Sequence, residues 1–243
     1  MFNFFHKDRV LSDFSDLETD VHSHLVPGID DGSASMKQSL SLINNLRDLG
    51  FKKIVTTPHS DNDLYRNTNE KITKAFSLLK EQVEKANIDI EIEVAAEYYI
   101  DFEFQKRLAN EKLLTFGSKY LLFELPFYNK PQVFEEIVFK MQTLAYKPVL
   151  AHPERYTFWN NNLKNYHDLK DRGILLQINI NSLVGGYSAQ AKKMAEKLIV
   201  NNMVDFIGSD THNQHHIELL KKSLKNKYLV DLINKKSLLN KTV

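Results

Sequence analysis

The chain has 243 residues, 42% hydrophobic and 26% charged, with 32 basic against 31 acidic side chains and no cysteine. That length suffices for one large core or two small ones, and the near-neutral charge gives no reason to expect nonspecific nucleic-acid or membrane binding. The lack of cysteine excludes disulfides, thiolate metal ligands and a cysteine nucleophile, and is compatible with a reducing compartment such as the cytoplasm.

At the N-terminus, Lys7, Asp8 and Arg9 interrupt any apolar segment of the kind a signal peptide needs. No stretch approaches the roughly 20 apolar residues that span a bilayer, so no membrane insertion is expected. No Pro/Gly/Ser-rich linker divides the chain, which predicts an extension over 1–17 followed by a single domain over 18–243. From residue 17 short apolar runs alternate with amphipathic stretches. Candidate strands are LETDVHSH (17–24), KKIVTTPHS (52–60), IEIEVAAEYY (90–99), YLLFELPF (120–127), KPVLAHPER (147–155), ILLQINI (174–180) and VDFIGSDTH (204–212). A helix is predicted over 33–50, where Met36, Leu40, Ile43 and Leu46 recur at spacings of three and four before Gly50. Further helices are predicted over 69–86, 131–145 and 188–202. Strands alternating with helices imply parallel pairing through right-handed crossovers and an α/β fold.

Both an open doubly wound sheet and a closed barrel fit this alternation; the polar residues discriminate. His22 and His24, His59, Glu97, Glu124, His152, and Asp210 with His212 lie at or just beyond the C-terminal ends of six of the seven runs. An open sheet gathers ligands at one crevice, whereas a barrel brings all C-terminal strand ends into one ring, so the barrel is favoured. Within the first run, side chains at i and i+2 share a face, so His22 and His24 project together with Asp20. Glu124 interrupts an apolar stretch, which is costly for a bare carboxylate unless it is paired or ligates a cation. Any one of these residues alone reads equally as a locally hydrogen-bonded histidine or a salt-bridged acid. All of them at matching strand ends do not.

Five histidines with several carboxylates and no sulfur suit Mn, Fe or Zn rather than Ca or Mg. They are too many for one ion with an open position, so two or three ions sharing a bridging carboxylate are expected. Such clusters acidify water and clamp phosphate, which points to phosphoester hydrolysis. His6, His167, His215 and His216 occupy no strand end and read as surface residues. A helical His212–His216 chelate is the weaker alternative to a strand-end pair of His212 with Asp210.

Taken together, DVHSHLVPGIDDGS, TTPHS, AAEYY, LLFELP, LAHPERY and IGSDTHN resemble the polymerase and histidinol phosphatase (PHP) superfamily. More narrowly, they resemble its bacterial capsule/exopolysaccharide branch of metal-dependent protein-tyrosine phosphatases, from about residue 18 to about 225. The resemblance implies a distorted (β/α)7 TIM-like barrel of PHP type carrying three ions, often manganese. It would give the first ion His22, His24, Glu97 and Asp210, with Glu97 bridging to a second held also by Glu124 and His152. The third would take Asp31, His59 and His212. Asp31 stands where many PHP members, histidinol phosphatases included, have histidine, and marks the tyrosine-phosphatase branch. Its neighbour Asp30 reads as a residue supporting the ligands or as a turn residue before Gly32. Arg155 resembles the family's active-site arginine, a fork for phosphate oxygens, against the alternative of an ion pair with Glu154. Arg66 is a further substrate-binding candidate, and Tyr98, Tyr99, Tyr128 and Tyr156 are either stacking residues or rim packing. The implied partner is the phosphotyrosine tail of a bacterial tyrosine kinase in polysaccharide export. The rival readings are a small-molecule phosphatase of the histidinol-phosphate type and a non-catalytic metal-binding regulatory module.

Overall fold

The seven predicted runs form nine short strands, because two of the runs break. The computed structural model describes residues 10–159, 162–235 and 237–243. In chain order the strands are β1 (Thr19–Asp20), β2 (Lys53–Thr56), β3 (His59–Ser60), β4 (Glu91–Val94), β5 (Glu97–Tyr99), β6 (Tyr120–Glu124), β7 (Lys147–Ala151), β8 (Leu175–Asn179) and β9 (Phe206–Gly208). Pro58, which has no N–H to give a ladder, separates β2 from β3. Ala95 and Ala96 separate β4 from β5.

All strand pairings are parallel, in the orders β1-β2-β4 and β3-β5-β6-β7-β8-β9. Since β2 runs on into β3 and β4 into β5, the two sheets join in one curl. The curl closes at its C-terminal mouth. There Ser23 bridges Thr211 in parallel, the Asp210 N–H donates to the His22 carbonyl at 2.8 Å, and the His24 N–H donates to that of Thr211 at 2.9 Å. The result is the expected distorted parallel barrel.

Helices wrap the outside: α1 (Met36–Asp48), α2 (Asn69–Lys85), α3 (Phe102–Asn110), α4 (Phe134–Thr143), α5 (Leu163–Asp171), α6 (Ala189–Val200), α7 (Gln214–Ser223) and α8 (Lys227–Asn234). The α1 N-cap Ser35 accepts from the Gln38 N–H, and the helix buries Leu42, Ile43 and Leu46; of the predicted stripe, Ile43 and Leu46 are buried, and Met36 and Leu40 pack partly buried against the core. Among the described residues no helix is long and apolar enough to cross a membrane.

Strand periodicity sorts the side chains into two clusters. Ile54, Ala96, Tyr98, Leu121, Phe123, Leu150, Leu176, Ile178 and Ile207 face the helices. Val55, Ala95, Tyr120, Leu122, Val149, Ala151 and Phe206 fill the barrel interior, with Leu175 packed against them. Two residues further along each interior face come His59 (four after Val55), Glu97, Glu124, Gln177 and Gly208. The apolar plug therefore ends just below the mouth, and the same face continues as polar residues.

Residues 10–17 pack on the barrel: Phe14 stacks on Phe51 with centroids 5.0 Å apart, and the Leu11 N–H donates to the Leu224 carbonyl at 3.0 Å. His6 and the rest of 1–9 lie outside the described residues. Below the mouth, buried Asn240 joins the first and last strands. Its Nδ2 donates to the carbonyls of Thr19 (2.9 Å) and Ile207 (2.8 Å), and its Oδ1 accepts the Ile207 N–H at 3.1 Å.

Candidate metal centre

The nine residues His22, His24, Asp31, His59, Glu97, Glu124, His152, Asp210 and His212 converge at the mouth. They fall into four overlapping sets in which every ligand atom lies within 4.8 Å of the others: His24/Asp31/His59/His212, His22/His24/Asp210, His22/Glu97/His152 and His59/Glu97/Glu124. Register explains part of this, since His59 pairs directly with Glu97 between β3 and β5, and Tyr99 with Glu124 between β5 and β6. The grouping differs in detail from the family-based one: His59 stands beside Glu97 and Glu124 as well as Asp31, and His24 touches two sets.

Glu97 is the hub. Its Oε2 lies 3.2 Å from His22 Nε2, 3.4 Å from His24 Nε2 and 3.3 Å from His59 Nδ1, and its Oε1 lies 2.8 Å from His152 Nε2. Asp210 Oδ1 sits 3.5 Å from His22 Nε2 and 3.4 Å from His24 Nε2. Asp31 Oδ1 is 3.6 Å from His59 Nε2 and 3.5 Å from His212 Nε2.

Two ligands depart from regular strand geometry. Parity along β7 would send His152 outward, because Val149 and Ala151 face in; its left-handed backbone, φ 35°, lets it join Glu97 instead. Asp210 is also left-handed, with φ 51°. Non-glycine residues there are strained, and strain of this kind clusters at functional sites. Two glycines allow the close packing: a Cβ on Gly32 would lie 2.2 Å from the His24 carbonyl oxygen, and one on Gly208 would lie 2.6 Å from His22 Cβ.

Bonds on the far side of two rings settle their tautomers. His22 Nδ1 donates to Gln177 Oε1 at 2.7 Å, and His24 Nδ1 donates to Asp30 Oδ2 at 2.9 Å. Each neutral ring therefore turns a lone pair inward, and the two Nε2 atoms lie 3.2 Å apart amid carboxylates. Lone pairs facing lone pairs at that range are repulsive unless a cation or protons sit between them, so the donor set fits metal ions. The electrostatics agree. Burial alone would push Glu97 and Asp210 upward, yet neighbouring imidazoles hold both well below the usual carboxylate range: His22, His59 and His152 for Glu97, His22, His212 and His24 for Asp210. Burial disfavours the His59 cation, but Glu97 and Glu124 outweigh it and raise that ring to about 9. The acids at this site demand positive charge, which divalent ions would supply.

Asp30 is both a support and a turn residue: besides His24 it accepts the Gly32 N–H at Oδ1 (3.0 Å) and the His59 N–H at Oδ2 (3.1 Å). Asp20 does not join the histidines on their face as strand alternation suggests. It turns to the closing strand, accepting from the Ser209 N–H at 2.8 Å and its hydroxyl at 2.6 Å.

The cluster floors a cavity of about 430 Å³ walled by Tyr65, Phe127, Arg155, Tyr187 and His216 among others. Arg155 is not paired with Glu154, whose Oε1 is taken by the Asn179 N–H (2.9 Å) and the Ser182 hydroxyl (2.6 Å). Its guanidinium lies between the rings of Phe127 and Tyr187, 4.7 and 4.3 Å from their centroids, with Nη1 3.5 Å from Asp210 Oδ2. Arg66 is exposed, outside the residues that wall this cavity, and donates to the Asn62 carbonyl at 2.8 Å. Tyr98 and Tyr156 are buried in the outer core, and Tyr128 is 88% exposed; the aromatic walls are Tyr65, Phe127 and Tyr187 instead.

His216 corrects the surface reading. Asn213 caps α7, and the first helical turn brings His216 Nδ1 to 2.7 Å from the Asp210 carbonyl oxygen, which His212 Nδ1 also approaches at 2.9 Å. His167 and His215 are exposed as expected. The one run without a ligand, β8, supplies amides: Gln177 supports His22, and Asn179 Nδ2 donates to Asp210 Oδ2 at 2.6 Å.

Comparison with known proteins agrees with this geometry. The tyrosine-protein phosphatase YwqE of Bacillus subtilis is 31% identical over 195 residues, covering 80% of this chain and 77% of that protein. The tyrosine-protein phosphatase CpsB of Streptococcus pneumoniae is 29% identical over 200 residues, covering 80% and 82%. A solved chain from the crystal structures of YwqE from B. subtilis and CpsB from S. pneumoniae, metal-dependent tyrosine phosphatases, matches with TM-score 0.79 at 29% identity over 89% of this chain and 90% of that one. Histidinol phosphate phosphatase from Lactococcus lactis matches at TM-score 0.54 and 12% identity over 86% and 92%, a likeness of fold alone. The family model for capsular polysaccharide synthesis, CpsB/CapC, matches residues 18–236, and the chain belongs to that family.

Proposed function

We propose that this protein is a metal-dependent protein-tyrosine phosphatase whose substrate is the phosphotyrosine tail of a bacterial tyrosine kinase controlling capsule or exopolysaccharide synthesis. The observation that carries the reading is the Arg155 guanidinium, held at the wall of a cavity whose floor is nine converging metal-type residues. His22, His24, Asp31, His59, Glu97, Glu124, His152, Asp210 and His212 would hold two or three ions, with Glu97 shared. Manganese is the favoured metal, with iron and zinc also suited to histidine and carboxylate donors. When bound, the ions acidify water and offset phosphate charge.

The chain's own groups then divide the work. Arg155 presents two parallel N–H donors to the equatorial phosphate oxygens, and Phe127 and Tyr187 restrict it to the cavity side. Tyr65, stacked on His59 with centroids 5.4 Å apart, and Phe127 give the cavity aromatic sides that suit an aryl leaving group. The absence of cysteine removes a thiol phosphatase mechanism from consideration. We place the activity in residues 18–243 and in the cytoplasm, where a kinase tail and reduced surroundings coexist.

The test is hydrolysis of a phosphotyrosine peptide, p-nitrophenyl phosphate and histidinol phosphate by manganese-loaded protein. Preference for the peptide is expected. Preference for histidinol phosphate would replace this reading with a small-molecule phosphatase, and no turnover of any of them would leave a metal-binding module.

A further inference from the structure

Tyr187 lies between β8 and α6, belongs to no ligand set, and touches both halves of the site. Its hydroxyl donates to Asp210 Oδ2 at 2.7 Å, beside the 2.6 Å bond from Asn179 Nδ2. With Oδ2 engaged by these two donors, Oδ1 is the oxygen left facing His22, His24 and His212, at 3.5, 3.4 and 3.4 Å. The same Tyr187 ring is one of the two faces against the Arg155 guanidinium, 4.3 Å from centroid to carbon. Arg155 has one carboxylate contact among the described residues, and at 3.5 Å it is a long one. Its placement therefore depends on the rings more than on that ion pair.

We propose that Tyr187 is a positioning residue that couples the metal and phosphate halves of the site: its hydroxyl aims Asp210 at the ions, and its ring aims Arg155 at the phosphate. The second half rests on the phosphatase reading above; the first does not. A carboxylate fixed at one oxygen by two donors presents the other in a set direction, which is how groups behind metal ligands raise affinity. An arginine sandwiched by aromatic faces keeps its fork in one plane, so less freedom is lost when phosphate binds.

Two substitutions in the full chain separate the halves. Tyr187→Phe removes the hydroxyl and keeps the ring; Tyr187→Leu removes both. Manganese affinity of chelator-stripped protein, read by calorimetry, should weaken about tenfold in each. Inorganic phosphate affinity of the manganese-saturated protein should be about tenfold weaker in Tyr187→Leu than in Tyr187→Phe. Neither readout needs turnover, so a wild-type protein inactive on phosphotyrosine would sink the functional proposal while both titrations still decide this one. Tyr187 is only partly buried, and a melt of each variant checks folding, with Tyr187→Met replacing Leu if Leu fails. Wild-type manganese affinity in the Phe variant would overturn the hydroxyl's role, and equal phosphate affinity in the two variants would overturn the ring's. A role in packing alone predicts lowered melting temperatures with both affinities unmoved.

Discussion

The Nδ1–H of His22 donates to Oε1 of Gln177 at 2.7 Å, joining two residues 155 positions apart in the chain. The Gln177 amide cannot flip without loss, because its Nε2 donates to the Ile178 carbonyl at 2.8 Å and to Asn179 Oδ1 at 3.0 Å. The bond thereby decides that His22 turns Nε2, with its lone pair, toward Glu97 and Asp210. Gln177→Leu keeps the volume and removes the acceptor. Manganese affinity should fall roughly 10–100-fold, as for other groups behind metal-ligating histidines. Equilibrium dialysis with elemental analysis measures it; unchanged affinity would detach His22 from the ion set.

Arg155→Ala should keep its metals and lose catalysis. Removing a charged donor that stabilises developing phosphoryl charge costs roughly 10²–10³-fold in kcat/KM. Lysine should rescue in part, since it restores the charge without the fork. Metal content, melting temperature and turnover are measured on one preparation. Full metal occupancy with near-wild-type turnover would leave the arginine out of the reaction.

Chelation should abolish activity and manganese should restore it, whereas iodoacetamide should have no effect on a chain without cysteine. Ions bound only by the folded state also raise stability, by about 2.7 kcal/mol at a free concentration a hundred times Kd, so the melting temperature should climb with added metal. Full turnover in a sample proven metal-free by elemental analysis would end the metal-dependent reading.

The stripped protein should lose stability on the alkaline side. His59 is raised above its ordinary 6.5 to about 9, so its contribution is complete below about 6.5 and is lost as pH rises through 9. His22 and His24 are raised too: burial opposes their charge, and Glu97 with Asp210, and Asp210 with Asp30, outweigh it. Asp31 is lowered to about 2, chiefly by its bond to His212, so its contribution holds above about 3.8 and disappears as pH falls through 2. The melting temperature of chelated protein should therefore decline from about pH 6.5 toward pH 9. Manganese should flatten that decline by standing in for the protons. A melting temperature that rises between pH 6.5 and 9 after chelation would contradict the imidazole–carboxylate account.

Asn240→Ala should destabilise the fold by about 2–4 kcal/mol, because it strands buried backbone groups of Thr19 and Ile207. Urea melts with manganese present quantify the loss. Asn240 is distant from the ligands in its bonding, so metal stoichiometry should stay intact; coupled loss of both would show that the seam itself sets the cluster's geometry.

Much of the site was legible because its ligands announce themselves by residue type. Histidines and acids at six strand ends need no knowledge of packing to stand out, and the barrel follows from their requirement to meet. What escaped was carried by neutral or turn-dependent groups. Gln177 and Asn179 hold no titratable charge, although their alternation with Leu176 and Ile178 places two amides on the inner face of an otherwise apolar strand, a signal that was there to be used. His216 depends on the Asn213 cap and a helical turn, and Phe127 and Tyr187 on how two loops fold back. Helices α3, α5, α7 and α8 are only eight to ten residues long, which leaves little room for a periodic stripe. Among the tyrosine candidates, Tyr98 failed on parity, because it follows inward-facing Glu97 and must point out.

The bonds between Asp20 and Ser209 join positions 189 residues apart, and the two metal-type residues beyond each of them are brought together by the same closure. Contacts of such long sequence separation carry a loop-closure entropy cost that the closed ring must offset. His22 and His24 thus acquire Asp210 only where the ring is closed. A partly folded chain offers scattered histidines with low affinity, and the complete chelating cluster exists only in the native ring.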